Sequence, residues 1–298
     1  QGKGGGIFAD ISSTGSLLSI CDKSQFISCT SEQDGGGIYA LVSNSGQMEI
    51  SNTTLSGCNS TSGKGGGIYT DISGNNSLVQ ISNKVNLVEC ECKGTSSGGG
   101  GIYSVVQSAG KLIITRNTLF LSCRSKFGNG GGMYVDIIGS LINNQTSIVQ
   151  ISNQVEFQRC FCYSDGGAVY ADVKIKGQLL INETLMNECK SISSNGGGIF
   201  TNQSTNNSFI HISNLVELTK CQSNLDGGGI YAIVNSSNYL MISNIKLKLC
   251  KSTGKGGGIY ADVSGSNNTF DITNQVQIDE CESQLDGGGI YVKLNNSG

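Results

Sequence analysis

The stretch "GGGIYADVSGSNNTFDITNQVQIDECESQLDGGGIY", from Gly256 to Tyr291, begins and ends on the same five-residue motif. The motif recurs along the whole chain of 298 residues, at spacings of 29 to 36 residues. A period in this range is typical of solenoids, in which one unit cannot bury its apolar face alone and stacks on its neighbours. The apolar residues that follow the glycines are Ile7, Ile38, Ile68, Ile102, Met133, Val169, Ile199, Ile230, Ile259 and Ile290.

Apolar residues alternate within each unit, as at Ile259, Ala261 and Val263 and again at Phe270 and Ile272. A period of two indicates β-strand. Three short strands fit into each unit and leave turns too short for a helical crossover. The sequence therefore predicts an all-β fold, a parallel β-helix of about ten coils with three short strands per coil, in which residues 1–298 form one solenoid domain.

Composition and charge exclude several classes of partner. The formal net charge is −3, and the 19 basic residues form no stripe, so neither nucleic acid nor an anionic membrane surface is an expected partner. No apolar stretch approaches the roughly 20 residues of a spanning helix, so membrane insertion is not expected. Gln1 opens directly into a repeat, and we expect the chain to be a mature or internal piece of a longer array.

A second motif, an apolar residue, two variable residues and a cysteine, ends the third strand of each complete coil, as in "FISC" at Phe26–Cys29. Together with the glycine motif, which includes "GGAVY" at Gly166–Tyr170, it resembles the repeat of polymorphic outer membrane proteins, whose signature pairs GGAI with FxxN. The resemblance covers the whole chain. It implies a right-handed parallel β-helix of the pectate-lyase-like superfamily, exposed at a cell surface and often adhesive. Cysteine stands where that family places asparagine, and outer-membrane anchoring is not carried over.

Nine of the twelve cysteines form a column with one member per complete coil, and Cys21, Cys92 and Cys162 are additional. The column is Cys29, Cys58, Cys90, Cys123, Cys160, Cys189, Cys221, Cys250 and Cys281. Stacked coils place neighbouring Cα atoms about 4.8 Å apart, within the range of disulfides. A ladder of buried thiols, disulfides between successive coils and a zinc site at Cys90-Glu91-Cys92 and Cys160-Phe161-Cys162 are all open. We predict the disulfides Cys29–Cys58, Cys90–Cys123, Cys160–Cys189 and Cys221–Cys250, with no metal or other cofactor.

Ten Asn-X-Ser/Thr sequons occur, and their use requires the secretory route. Four of them precede the second strand in coils three, five, seven and nine, as a two-coil unit of duplication would produce: Asn75, Asn144, Asn206 and Asn267. The others are Asn52, Asn59, Asn182, Asn202, Asn235 and Asn295. We predict N-linked glycans on the first four, along one edge, and hence a secreted or cell-surface protein.

A further column of asparagines follows the second strand: Asn83, Asn153, Asn214, Asn244 and Asn274. Strict alternation predicts that these side chains point inward as a hydrogen-bonded amide ladder. Asn52 belongs to the same column, so its sequon is expected to be hidden.

One aromatic residue per coil points outward in the predicted first strand and forms a stripe: Phe8, Tyr39, Tyr69, Tyr103, Tyr134, Tyr170, Phe200, Tyr231, Tyr260 and Tyr291. An acidic stripe runs beside it, at Asp10, Asp71, Asp136, Asp172 and Asp262. Aromatic ladders stabilise stacked strands without any ligand. The alternative is a surface that binds sugars or packs against another subunit.

Catalysis is not predicted, although many parallel β-helices act on polysaccharides. The three arginines, Arg116, Arg124 and Arg159, lie outside the first strand, and the acidic residues repeat without a coil that differs from its neighbours. The single histidine, His211, takes an outward position in the second strand.

The sequence therefore favours a non-catalytic extracellular structural or adhesive protein, a glycosylated rod. The alternative is a carbohydrate-binding or atypical polysaccharide-active β-helix that uses the Tyr/Asp stripe on host or matrix polysaccharide. Neither end has the polar cap that a finite solenoid needs to protect its strand edges and core. We therefore expect self-association end to end, or further repeats of the same chain beyond both ends.

Overall fold

The protein is a parallel β-solenoid of about nine turns, seen in a computed structural model that describes residues 2–95, 98–141, 144–235 and 237–295. All its regular structure within those ranges is β-strand, in three parallel sheets, and the predicted fold class is confirmed. The same ranges contain no helix with the length and hydropathy needed to span a bilayer.

Sheet A contains the strands that follow the triple glycines. Ten strands pair in chain order, each parallel to the next: Ile7–Ile11, Ile38–Val42, Ile68–Ser73, Ile102–Gln107, Met133–Ile138, Val169–Lys174, Ile199–Gln203, Ile230–Val234, Ile259–Ser264 and Ile290–Asn295. The register places equivalent residues of successive coils side by side, so that Tyr39 pairs with Tyr69 and Asp136 with Asp172. At about 4.8 Å per strand, the sheet is about 43 Å long.

Sheet B contains both the second and the third predicted strand of each coil. The second strands are Leu17–Ile20, Gln47–Ser51, Leu78–Ser82, Lys111–Thr115, Ile148–Ser152, Gln178–Asn182 and Thr269–Thr273. The third strands are Gln25–Ile27, Thr54–Ser56, Asn86–Val88, Leu119–Leu121, Val155–Gln158, Thr184–Asn187 and Gln277–Asp279. In coils seven and eight the two merge into Phe209–Thr219 and Tyr239–Lys248.

Sheet C is a narrow ribbon formed directly after the column cysteines. Its nine strands have two residues each: Thr30–Ser31, Asn59–Ser60, Glu91–Cys92, Arg124–Ser125, Phe161–Cys162, Lys190–Ser191, Gln222–Ser223, Lys251–Ser252 and Glu282–Ser283. The sequence pattern did not indicate this ribbon, because two residues are too few to show alternation.

The core lies inside the coils, where the inward residues of sheets A and B form stacked columns. Ile102 and Met133 of sheet A and Leu112 of sheet B are fully buried, and the rings of Phe120 and Phe157 stack with centroids 4.4 Å apart. Burial of these columns is the main favourable term for the fold, because each coil alone would leave its apolar side chains in water.

The triple glycine forms the turn from sheet C into sheet A. In coil five, Gly130 has a φ of +62°, which favours glycine. A Cβ on Gly131 would lie 2.4 Å from the carbonyl oxygen of Gly167 in the next coil. A Cβ on Gly132 would lie 2.6 Å from the ring of Phe157. The three glycines therefore serve three different constraints, of which only the first concerns backbone torsion.

The asparagine column corrects the sequence prediction. Asn83, Asn153, Asn214 and Asn274 are exposed instead of inward, and Asn244 is half-buried. All five have φ between +50° and +58°, and they form the corner between the second and third strands. Left-handed backbone interrupts the alternation on which the inward prediction rested, and asparagine tolerates that conformation better than most residues. Asn52, at φ +45°, is likewise exposed, so its sequon is not hidden.

Candidate functional site

The aromatic stripe is a continuous ladder of stacked rings on the outer side of sheet A. Neighbouring ring centroids are 4.6 to 5.5 Å apart, and the ring planes are within 18° of parallel along the whole stripe. The in-register pairing of sheet A produces this arrangement, because equivalent residues of successive coils are neighbours.

Stacking limits what the stripe can bind. Each interior ring has a neighbour on both faces, so Tyr39 keeps only 4% of its surface exposed, whereas Phe8 at the end of the ladder keeps 57%. A sugar that stacks on an aromatic residue needs an open ring face. Between its first and last rings, the stripe offers only edges and phenol groups to a ligand.

The phenol groups are held by lysines of the preceding coil. The ammonium groups of Lys3, Lys64 and Lys255 donate hydrogen bonds to the hydroxyl oxygens of Tyr39, Tyr103 and Tyr291, at 3.0, 3.2 and 3.0 Å. Burial, together with the carboxylate of Asp136, raises the pKa of Tyr134 to about 12. The Tyr134 phenol is therefore neutral near pH 7.

The acidic stripe lies beside the ladder, two residues further along each strand, and is neutralised locally. Leu41 and Val105 separate Asp10, Asp71 and Asp136. Asp136 and Asp172 are direct neighbours, and the ammonium group of Lys174 lies 3.0 and 2.7 Å from their carboxylate oxygens. Within the described ranges, no group of three or more His, Cys, Asp or Glu side chains is arranged to hold a metal ion.

A column of Asp and Asn side chains, which the sequence analysis missed, precedes the triple glycines. The side-chain oxygen of each member accepts a hydrogen bond from the backbone N–H of the equivalent residue one coil later. The backbone N–H groups of Asp165, Asn195, Asp226 and Lys255 donate, in that order, to the side-chain oxygens of Asn129, Asp165, Asn195 and Asp226, at 2.6 to 3.0 Å. The signal was available, since Asp or Asn precedes many of the glycine motifs. These carboxylate and amide oxygens bind backbone N–H groups and support the corner.

The cysteine column is a ladder of free thiols, so the four predicted disulfides are absent and that prediction is corrected. Interior thiols donate hydrogen bonds to backbone carbonyls of the preceding coil: Cys58 to Phe26, Cys123 to Leu87, Cys160 to Phe120 and Cys189 to Phe157, at 3.3 to 3.4 Å. Parallel, in-register strands point equivalent side chains in the same direction, which opposes the torsion near 90° that a disulfide requires. Proximity of the Cα atoms is therefore not sufficient for a bond.

The residues of the zinc alternative are not brought together into a metal site. Cys90 belongs to the column, and its sulfur contacts the Leu55 carbonyl. Cys92 belongs to sheet C, and its thiol donates to the carbonyl oxygen of Gly63 at 3.1 Å. Cys162 is likewise in sheet C and donates to the carbonyl oxygen of Ser164 at 3.2 Å. Cys92 and Cys162 occupy the sheet C position that is serine in other coils, where the serine hydroxyl donates to a backbone carbonyl of the same corner, as at Ser191.

Alkylation of the native protein at pH 8 is expected to modify Cys21, Cys29 and Cys281, and to reach the nine buried thiols only after unfolding. The buried thiols are closed to the reagent in the folded protein, and at Cys92 burial also raises the pKa, to about 11, so that its reactive thiolate is scarce. Because the pKa of Cys92 is higher in the folded than in the unfolded protein, its contribution to the free energy of unfolding is complete below about pH 8.5 and is lost as the pH rises towards 11. Mass spectrometry of native and urea-unfolded samples measures the pattern. Disulfide-linked peptides, or equal native labelling of all twelve thiols, would contradict it.

The four edge sequons lie in the turns between sheets A and B, and Asn75, Asn144, Asn206 and Asn267 are all exposed. They share an edge but no common register, since they precede the aligned residues Leu78, Ile148, Phe209 and Thr269 by three, four, three and two positions. Lys176 donates a hydrogen bond to the side-chain oxygen of Asn144.

The remaining sequons fall into two groups. Asn52 and Asn295 are exposed, although Ser297 of the second sequon lies outside the described ranges. Asn59, Asn182, Asn202 and Asn235 are half-buried and hydrogen-bonded through their side chains.

The residues considered for catalysis are dispersed. Arg116 and Arg159 occupy exposed corner positions with positive φ, and Arg124 lies in sheet C, 3.6 Å from a carboxylate oxygen of Glu91. His211 faces outward on sheet B, with its Nε2 atom 3.3 Å from the Ser243 hydroxyl, and burial lowers its pKa.

Comparison of the chain with protein-family models, with curated proteins and with solved structures found no match. The resemblance to the polymorphic outer membrane protein repeat accordingly depends on the short glycine and cysteine motifs, and the parallel β-solenoid is the level at which the structure agrees with it.

Proposed function

We propose that this protein is a non-catalytic extracellular structural or adhesive repeat protein, a glycosylated rod of a cell surface or fibril. The observation that carries the proposal is the uniformity of the aromatic ladder on the outer side of sheet A. The aromatic ladder continues through all ten strands of sheet A, and the acidic stripe is spaced by apolar residues or paired with Lys174. A reaction centre requires one coil that differs from its neighbours, whereas stiffness requires that every coil repeat.

The exposed sequons support a secretory route and a coated edge. Asn75, Asn206 and Asn267 lie in exposed turns with room for a glycan, on the same edge as Asn144. The carbohydrate-binding alternative gains no comparable support, because the interior ring faces of the stripe are covered by neighbouring rings.

The two ends support association with further coils. The inward residues Ile7, Leu18 and Phe26 of the first coil are only half-buried. The last strand of sheet A exposes Val292 and Leu294, whereas the aligned Ala232 and Val234, two coils earlier, are fully buried. The strand edges at both ends also present backbone groups that can pair with an added strand. We propose that another copy of this chain covers these ends, in end-to-end self-association.

Expression through a eukaryotic secretory pathway is expected to place glycans on Asn75, Asn144, Asn206 and Asn267 and to leave Asn202 bare. The amide nitrogen that would carry the glycan on Asn202 donates instead to Asp172 at 3.3 Å, and the side chain is half-buried. Glycopeptide mass spectrometry measures occupancy. As matched controls, Asn206→Gln should remove the mass of one glycan and Asn202→Gln should remove none. Bare edge sequons would overturn the glycosylated rod.

A further inference from the structure

The outer side of sheet B in coils four to nine is a flat surface with an unusual distribution of charge. Two outward positions per second strand form it, and the parallel register places them in two rows. The first row is Lys111, Ile148, Gln178, Phe209, Tyr239 and Thr269, and the second is Ile113, Gln150, Leu180, His211, Met241 and Asp271. We call these twelve residues the sheet B face.

The middle of the sheet B face carries no Lys, Arg, Asp or Glu and is mainly apolar, with Gln150, Gln178 and His211 as its polar members. Phe209 and Tyr239 stack with centroids 5.2 Å apart, and the His211 ring meets Phe209 edge-on at 6.1 Å. These outward residues stay half-buried because they cover one another. An uncharged patch of aromatic and aliphatic side chains rimmed by polar residues marks an interaction site in soluble proteins.

The charges of the sheet B face lie at its two ends and have opposite signs. Lys111 in coil four is exposed, and Asp271 in coil nine is held in place by a hydrogen bond from the Tyr239 hydroxyl at 3.1 Å. A face that is mainly apolar in the middle, basic at one end and acidic at the other is complementary to itself when turned end for end.

We propose that the sheet B face pairs with the same face of a second copy of this chain, in an antiparallel dimer. A two-fold axis along the strand direction, between coils six and seven, sets coil four opposite coil nine and coil five opposite coil eight. Lys111 then faces Thr269 of the second copy, two residues or about 7 Å from its Asp271, and the reverse pair forms by symmetry. Tyr239 faces Ile148 of the second copy, Phe209 faces Gln178, and the two Phe209 rings are offset by one strand across the axis.

The dimensions suit such a contact. Six strands and about five residues along each give roughly 500 Å² per copy, or about 1,000 Å² in total, which reaches the lower bound for a specific interface. Two sheets pack face to face at about 10 Å, so with the offset of about 7 Å the Cα atoms of Lys111 and Asp271 are about 12 Å apart, a distance that the two extended side chains can bridge. No sequon asparagine belongs to the sheet B face. The pairing does not depend on what covers the ends. Because Asn144, Asn206 and Asn267 lie two to four residues before the first row of the face, the pairing is tested on unglycosylated protein, so that its outcome is separate from that of the proposed function.

Sedimentation equilibrium of the whole chain between 1 and 100 μM is expected to show a monomer–dimer equilibrium. Lys111→Glu and Asp271→Lys should each raise the dissociation constant at least about tenfold, because each sets like charges against each other twice. The combined variant K111E/D271K should recover the dimer, since the exchanged charges are again complementary. Lys84→Glu, an exposed lysine at a corner of coil three, is the matched control and should leave the equilibrium unchanged.

Circular dichroism and the thermal midpoint of each variant confirm that it is folded. A chain that stays monomeric at 100 μM overturns the proposal, as does a dimer in which the combined variant fails to restore what the single variants lose. Species that grow beyond the dimer and ignore charge reversal would indicate contacts between the ends instead, and would equally overturn pairing through the sheet B face.

Discussion

Replacing Gly131 by alanine is expected to lower the free energy of unfolding by about 4 kcal/mol, because its Cβ would overlap backbone on two sides. The Cβ position lies 2.4 Å from the Gly167 carbonyl oxygen and 2.5 Å from the Phe161 carbonyl carbon, and neither atom can move without separating stacked coils. Urea unfolding followed by circular dichroism measures the loss. Hydrogen exchange should show it concentrated in Met133–Ile138 and Val169–Lys174, the strands that flank the altered corner.

Gly57→Ser is the matched control for this experiment. Gly57 has a φ of +63°, but the nearest atom to its Cβ position is the Ser28 hydroxyl at 3.5 Å. Serine already occupies the equivalent position in other coils, at Ser28 and Ser122, with φ of 52° and 53°. The cost should be no more than about 1 kcal/mol. Equal losses from Gly131→Ala and Gly57→Ser would contradict the proposed contact between coils as the reason for glycine at position 131.

Replacing Phe157 by alanine is expected to cost about 4 kcal/mol, since its fully buried ring would leave a cavity in a core that cannot collapse between fixed strands. The ring stacks on Phe120 at 4.4 Å and fills the space over Gly132. Thermal and urea unfolding measure the change.

Phe161→Ala provides the comparison, because Phe161 is in the same coil but points outward and is half-buried. It contacts the guanidinium of Arg124 at 5.1 Å, so its loss should cost about 1 kcal/mol. Similar costs for the two phenylalanines would contradict the assignment of Phe157 to the core and Phe161 to the surface.

The sequence by itself determined the period, the strands and the membership of the columns. Equivalent residues of a parallel solenoid are neighbours in space, so a recurrence along the chain predicts a contact without knowledge of the fold. This is why the stacking of Tyr39 on Tyr69, the Cys90–Cys123 proximity and the pairing of Asp136 with Asp172 could be anticipated. The sheet C ribbon and the Asp/Asn column were not predicted, because the sequence pattern of each is only one or two residues long.

Only the tertiary structure decided in which direction the column members point and what they bind. A positive φ at Asn153 reverses the side of the chain on which its side chain lies, and alternation carries no information about that torsion. The Cys160 thiol donates to the Phe120 carbonyl instead of bonding to its neighbour, because stacking fixes distance but not the torsion of a disulfide. Ala168 is the one alanine in the glycine columns, at the position equivalent to Gly132. In its coil the flexible Met186 replaces Phe157, the ring that packs against Gly132. Spacing along the chain identifies neighbours, whereas torsion angles and hydrogen-bond partners are set by the coils packed above and below.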